Sequence, residues 1–143
     1  MRPPGRNKRD TNVIGGISEA TITARFLDLG YIVLVPFGGN QRYDLMIEDA
    51  NGQIWRIQCK TARTNKDKTI LRFSTSICNV TGKNRQPRNY RGQCDYFALF
   101  CEELNKVYLV PVDEVGTNGA SLRLKPAKNG QEKSIQWAKD YEL

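Results

Sequence analysis

Three polar residues fall where the sequence otherwise predicts core strands, and their types suit the hydrolysis of a phosphodiester bond. Asp44 precedes the apolar run LMIE, while Gln58 and Lys60 stand two residues apart at the end of IWRIQCK. Carboxylate oxygens can hold Mg²⁺, the ion lowers the pKa of a bound water, and a lysine can orient or deprotonate the nucleophile. The pattern therefore indicates a metal-dependent hydrolytic site formed by two neighbouring strands.

The register of these two strands, which are joined around the segment DANG, decides whether the polar side chains meet. A two-residue turn would set Leu45 beside Gln58 and mix the apolar and polar faces. A three-residue loop over residues 50–52, with Gly52 in the left-handed conformation, pairs Leu45 with Ile57 and separates the faces. We predict this second register.

In that register the polar side chains form one cluster. Asp44 faces Gln58, and Lys60 shares the Gln58 face because side chains alternate along a strand. Cys59 then points away and could contribute only its backbone carbonyl as a metal ligand. Glu19, from the preceding helix, could complete the ligand set. The predicted catalytic residues are Glu19, Asp44, Gln58 and Lys60, and the predicted cofactor is Mg²⁺ or Mn²⁺.

The surrounding elements follow from apolar patterns and turn residues. GISEATITARFLDLGY predicts a helix with Ser18 as its N-cap, Glu19 in its first turn and Gly30 at its end. YIVLVPF predicts a buried strand, TILRFS another strand, and CDYFALFC with KVYLVPV a hairpin of core strands. VDEV predicts a short helical turn. These elements indicate an α/β fold with a mixed β-sheet flanked by α-helices.

Length and charge point to one domain that binds a polyanion. The 143 residues suit a single domain, residues 1–143, and carry 22 basic against 15 acidic side chains, a net charge of +7. Residues 1–12 are predicted to form a mobile basic arm and residues 82–92 a basic loop. The residues predicted to contact DNA are Arg2, Arg6, Lys8, Arg9, Lys83, Arg85, Arg88, Tyr90 and Arg91.

Composition excludes several kinds of chemistry. The chain has no histidine, which removes histidine-dependent nucleophilic catalysis and every histidine metal motif. Its four cysteines lack the close spacing of a zinc or redox pair, so we interpret them as buried thiols. No run is long and apolar enough for a membrane helix, and we expect a cytoplasmic protein with no membrane partner.

The segments GISEATITARFLDLGYIVLVPFGG, YDLMIED and RIQCKTA together resemble the PD-(D/E)xK nuclease superfamily, and most closely its small homing endonucleases encoded in cyanobacterial group I introns. The resemblance places Asp44 at the motif aspartate, Gln58 at the D/E position, Lys60 at the motif lysine and Glu19 at a helix glutamate. It implies a restriction-endonuclease-like core that cuts double-stranded DNA as a homodimer or homotetramer. Tyr43 replaces the nominal proline, and Gln58 replaces an acid, as in the intron-encoded enzymes.

Other interpretations stay open at this point. The same core could serve a Holliday-junction resolvase, and Gln58 is also compatible with a catalytically inactive DNA-binding module. Taken singly, Asp44 could be a residue of a strand-entry turn, Lys60 a solvated strand end, and Glu19 an acid that stabilises the first turn of a helix. Their joint spacing favours the metal site.

Overall fold

The described part of the chain contains one α-helix and nine strands. In this computed structural model the described residues are 1–6, 9–39, 41–77, 88–89, 92–130 and 133–143. The helix is α1, Thr11–Asp28, and the strands are β1 Ile32–Leu34, β2 Leu45–Glu48, β3 Ile54–Thr64, β4 Ile70–Phe73, β5 Ser76–Ile77, β6 Arg88–Asn89, β7 Tyr96–Cys101, β8 Lys106–Pro111 and β9 Ala120–Arg123. Seven of these strands form one mixed sheet, and β5 pairs with β6 apart from it.

Helix α1 begins well before the predicted start. The carboxylate of Asp10 caps it by accepting a hydrogen bond from the backbone N–H of Val13 at 3.0 Å. The prediction of Ser18 as the N-cap is therefore wrong, because Ser18 lies in the middle of the helix and is buried. The Gly15-Gly16 pair disfavours a helix locally, but the cap and the packing of the following turns outweigh that cost. The predicted end at Gly30, which has a φ of 90°, is confirmed.

The hairpin of β2 and β3 has the predicted register. Leu45 pairs with Ile57, and the next apolar pair follows two residues further along. The backbone N–H of Asp49 donates to the carbonyl of Gln53, which closes the three-residue loop, and Gly52 has a φ of 78°. The apolar alternation and the left-handed glycine thus select one register, as the sequence predicts.

Strand β3 is the centre of the sheet and has different neighbours along its two edges. On one edge β7 runs parallel to it from Ile57 to Ala62. On the other edge β2 pairs with its first four residues and β4 with its last two, Arg63 and Thr64. Among the described strands, none pairs with that edge over residues 58–62. The backbone groups of β3 that point to this side therefore face a gap between β2 and β4.

Each face of the sheet carries an apolar core. Helix α1 covers the first, whose buried members are Ile22, Phe26, Leu45, Ile47, Ile57, Ala98, Phe100 and Val107. The second includes Leu71, Phe97, Leu99, Tyr108, Val110, Leu122 and Ala138. The mixed sheet is confirmed, but α1 is the only α-helix among the described residues. Short 3₁₀ turns, Val112–Glu114 and Ala138–Asp140, accompany the second core where further helices were expected.

Strand β1 differs from its prediction as a buried strand. It pairs only with β2 among the described strands and so lies at an edge of the sheet. Ile32 is 58% exposed, and the residues that follow the strand are more exposed still, with Val35 at 71% and Phe37 at 104%. The β-branched run correctly predicts a strand, but a short apolar run does not show whether a strand is central or at an edge.

Some of the remaining predictions are confirmed, one has the wrong bounds, and others concern segments outside the described residues. The strand at β4, the hairpin of β7 and β8, and the helical turn at VDEV are confirmed. The proposed arm over residues 1–12 is too long, because α1 starts at Thr11. Most of the predicted basic loop, residues 82–87 and 90–91, lies outside the described residues, and β6 falls inside it. No helix among the described residues is long and apolar enough to cross a membrane.

Candidate active site

Asp44 immediately precedes β2, at the point where the pairing of β2 with β3 ends. Its backbone N–H donates to the carbonyl of Ile57 at 2.9 Å, which continues the pairing of the two strands. Its carboxylate accepts a hydrogen bond from the backbone N–H of Cys59 at 2.8 Å. The side chain of Asp44 thus fills part of the gap, and the β3 backbone holds its orientation.

Glu19 reaches the same region from α1. The neighbouring Ser18 fixes the helix to β3 through a hydrogen bond of 2.6 Å between its hydroxyl and that of Thr61. Glu19 is exposed, but partial desolvation of its carboxylate raises its pKa, and the nearby carboxylate of Asp44 raises it further. Because α1 starts at Thr11, Glu19 lies beyond its first turn, so the explanation of Glu19 as a first-turn acid is wrong.

Burial affects both charged partners on the strands. It raises the pKa of Asp44, against the opposing effects of the Cys59 N–H and the charge of Lys60. It also lowers the pKa of Lys60, against the opposing effect of Asp44. The site therefore holds a carboxylate that resists ionisation and an ammonium group that gives up its proton more readily than usual. Perturbed groups of this kind are concentrated at functional sites.

Gln58 and Cys59 occupy adjacent positions on β3 with opposite orientations. The thiol of Cys59 packs against the core under α1, and burial, followed by the charges of Asp44 and Glu19, raises its pKa. Its backbone N–H points into the gap, and in a strand the carbonyl of the same residue points to the same side. Gln58 is half-buried, and strand alternation places its side chain on the Lys60 side. Of the four cysteines predicted to be buried, Cys94 and Cys101 are buried, Cys59 is only half-buried, and Cys78 lies outside the described residues.

The donor set suits a hard cation. Glu19 and Asp44 supply carboxylates, the charge of Asp44 helps to raise the pKa of Glu19, and a divalent cation between such groups would relieve this repulsion. The amide of Gln58 and the carbonyl of Cys59 are oxygen donors of the same class. Mg²⁺ characteristically takes one or two carboxylates and fills its other positions with water and phosphate oxygens. The described residues contain no group of three or more acidic, cysteine or histidine side chains that could hold a metal.

The residues predicted to contact DNA are only partly described. Arg2 and Arg6 are exposed. Arg9 forms a two-point ion pair with Glu102, with N–O distances of 3.0 and 3.1 Å, so its guanidinium already has an acidic partner. The backbone of Arg88 belongs to β6. The others lie outside the described residues: Lys8, Lys83, Arg85, Tyr90 and Arg91.

Two features of the site were missed at the level of sequence. Ser18 was interpreted as a cap, although its four-residue spacing from Ile22 and Phe26 places it on the buried face of a helix. Arg42, which precedes the Tyr43-Asp44 pair, has a buried Nη1 without a hydrogen-bond partner among the described residues. An anionic oxygen could accept from that donor, and no pattern in the sequence indicates its burial.

Comparisons with known proteins identify a family and a similar fold. Residues 9–143 match the model of a protein family described as PD-(D/E)XK endonuclease. Among solved structures, a bacterial homing endonuclease, I-Ssp6803I, is similar with a TM-score of 0.71 and 25% sequence identity. The alignment covers 94% of this chain and 89% of that one. No curated protein matches the chain.

Proposed function

The chain belongs to the PD-(D/E)XK endonuclease family, and from that premise we propose that it hydrolyses phosphodiester bonds of double-stranded DNA with a divalent cation, Mg²⁺ or Mn²⁺. The observation that carries this proposal is the presence of two carboxylates, the exposed Glu19 and the half-buried Asp44, beside the half-buried lysine Lys60 at the gap along β3. A structural ion pair would need only one acid for one base.

The two carboxylates hold and orient the reacting groups. Asp44 is fixed by the Cys59 N–H, and Glu19 by a helix that the Ser18–Thr61 hydrogen bond ties to the sheet. A divalent cation bound by these residues would polarise the scissile phosphate and lower the pKa of a nearby water. Both carboxylates must be ionised for this role. Their raised pKa values oppose ionisation in the free protein, and the positive charge of a bound cation would favour it.

Lys60 and Gln58 complete the proposed chemistry from the same strand. The Nζ atom of Lys60 can donate to the phosphate or accept a proton from the attacking water, and burial favours its neutral form. The amide oxygen of Gln58 is the proposed uncharged ligand. With a glutamine there, the site is one charge less negative than with a glutamate, so substrate phosphate would contribute more to holding the cation.

The similarity to a bacterial homing endonuclease supports a narrower proposal. We propose that the chain is itself a homing endonuclease, of the kind encoded in group I introns, with a long and partly palindromic target. A single site cuts one strand, so cleavage of both requires a homodimer or homotetramer. The exposed apolar residues at β1 supply a surface for such an assembly.

Nicking of supercoiled plasmid tests the proposed activity. We expect the purified chain to convert supercoiled plasmid to nicked and linear forms in Mg²⁺ or Mn²⁺, and to leave it intact in EDTA. Binding without nicking at any cation concentration would instead support the inactive DNA-binding module, which the absence of a third acidic ligand among the described residues favours.

Competition between DNA shapes tests the preferred substrate. The proposal predicts that a four-way junction competes for the protein no better than a linear duplex of the same length and composition. A strong preference for the junction would identify a resolvase that uses the same catalytic core, because a resolvase recognises branched shape and not sequence.

A further inference from the structure

A groove of about 830 Å³ lies beside the end of β3 that pairs with β4. Side chains of β3, β4 and β9 line it, together with the 3₁₀ turn Val112–Glu114 and the chain near Gln136. The lining residues that carry the argument are Thr61, Arg63, Arg72, Ser74, Ser121 and Glu114. No residue predicted to contact DNA is among them.

Two arginines lie side by side in this groove. Arg63 on β3 is the direct partner of Arg72 on β4, and Arg72 is in turn the partner of Ser121 on β9. All three side chains are exposed. Like charges directly opposite each other on neighbouring strands are unfavourable, so this arrangement costs stability in the free protein. The attraction of both arginines to a bound polyanion would offset this repulsion.

The acidic groups nearby do not neutralise this pair. Within the described residues, neither Arg63 nor Arg72 forms an ion pair within hydrogen-bonding range. Arg63 helps to lower the pKa of Glu102, but the carboxylate of Glu102 is already occupied by the two-point contact with Arg9. Glu114 lies on the wall of the groove formed by the 3₁₀ turn. Two guanidinium groups thus face one uncommitted carboxylate.

The groove and the candidate active site lie along the same strand, β3. Thr61 lines the groove and also holds Ser18, the residue before Glu19. The backbone N–H of Cys59 binds the carboxylate of Asp44. Arg63 lies four residues after Cys59 on β3, which is about 13 Å along a strand. One strand of a DNA duplex advances that distance in roughly four nucleotides.

We propose that Arg63 and Arg72 bind consecutive backbone phosphates of the DNA strand being cut, a few nucleotides from the scissile phosphate. This inference rests on the proposed function, because it takes duplex DNA as the ligand. The exposed hydroxyl of Ser121, opposite Arg72 on β9, lines the same groove and could donate to one of these phosphates. Contacts of this kind fix the position of the duplex on the protein without reading its sequence.

Binding as a function of salt tests the proposal. Fluorescence anisotropy would follow a labelled duplex of random sequence in EDTA, so that no cutting occurs. Arg63→Gln and Arg72→Gln should each reduce the slope of log affinity against log salt by about one, and the double variant by about two. Arg63→Lys and Arg72→Lys should keep the slope because they keep the charge.

Arg25→Gln serves as the matched control. It removes the same charge from a half-exposed arginine on α1 that is paired with Asp28 and does not line the groove, and it should leave the slope unchanged. Melting temperatures of the Arg63 and Arg72 variants should equal or exceed that of the wild type, since a repulsion is removed. A wild-type slope in the double variant would overturn the inference while leaving the nuclease proposal intact. A wild-type protein that neither binds nor nicks duplex DNA would overturn both.

Discussion

For Asp44, the ionised state that the proposed activity requires is unfavourable for the stability of the free protein. Its carboxylate is partly buried, it lies close to Glu19, and its pKa is raised despite the Cys59 N–H and Lys60. An ionised Asp44 lowers the free energy of unfolding, and a cation bound with the substrate would offset this loss. Groups that are unfavourable in the free protein are frequent at active sites.

Replacing Asp44 by asparagine should stabilise the free protein at neutral pH. A raised folded-state pKa means that the folded chain binds the proton more tightly, so stability is lost as pH rises from the ordinary carboxyl pKa through the raised one. Asp44→Asn removes this loss and keeps an oxygen that can accept from Cys59. We expect a higher free energy of unfolding than wild type by urea titration near neutral pH, with a difference that shrinks below about pH 4. An unchanged or lower value at neutral pH would contradict the burial of a charged Asp44.

Gln58 is the proposed uncharged ligand, so its replacement should change how strongly the free protein holds a cation. Gln58→Glu adds a charged oxygen, so calorimetry on the DNA-free protein should show tighter binding of Mg²⁺ or Mn²⁺ than wild type. Gln58→Ala should slow cleavage at least about tenfold, a loss of roughly 1.4 kcal/mol of transition-state stabilisation. Gln53→Glu, the same change in the exposed turn of this hairpin, should leave metal binding unaltered. Normal cutting by Gln58→Ala, with no gain in Gln58→Glu, would show that Gln58 is not a ligand.

Residues on one strand were easier to predict than residues on separate elements. Gln58 and Lys60 follow from strand alternation alone, and Asp44 follows once the register of one short loop is chosen. The Ser18–Thr61 contact and the Arg63–Arg72 pair require the positions of a helix and of a second hairpin. Local periodicity carries no information about those positions, although the short turn between β3 and β4 already limits which residues can pair.

At the scale of elements, α1 contains a local conflict. Gly15 and Gly16 lie inside the helix, where glycine is unfavourable because it loses most backbone freedom on folding. A methyl group at either position would meet nothing within 4 Å. Neither glycine is therefore required by packing in the free protein.

Gly16→Ala should raise the free energy of unfolding by about 1 kcal/mol, the difference in helix propensity between the two residues. Asp10→Ala, which removes the cap at the start of the same helix, should lower it by about 1 kcal/mol. Urea denaturation followed by circular dichroism measures both. A destabilised Gly16→Ala variant would show that the first half of α1 is not helical in solution.

The elements themselves show where sequence patterns succeed. The β2–β3 hairpin was predictable in register because its apolar pairs and its left-handed Gly52 agree on one solution. The start of α1 was not, because Gly15-Gly16 indicates a break locally while packing of the later turns extends the helix across it. The exposure of β1 was not either, because an apolar run looks alike in a central strand and in an edge strand that contacts a second chain.

At the scale of the whole molecule, the exposed β1 edge is the surface proposed to bind a second copy of the chain. Edge strands with exposed apolar residues are a pairing and aggregation hazard unless they are covered. Phe37→Asp should therefore shift the molar mass in sedimentation experiments towards the monomer and reduce linear product more than nicked product. Val13→Asp places the same charge at an exposed apolar position on α1 and should not change the mass. A wild-type protein that is monomeric at all concentrations would contradict the proposed assembly.

The rate of plasmid nicking by Asp44→Asn, measured with enzyme in excess and beside the wild type in Mg²⁺, tests the central claim most directly. Asp44 is proposed to orient the cation and the attacking water and to make no phosphate contact. Cleavage should fall at least about a hundredfold, equivalent to roughly 2.7 kcal/mol, while affinity for a duplex in EDTA stays within a few-fold of wild type. Nicking by Asp44→Asn at the wild-type rate would contradict the assignment of the active site to the gap along β3.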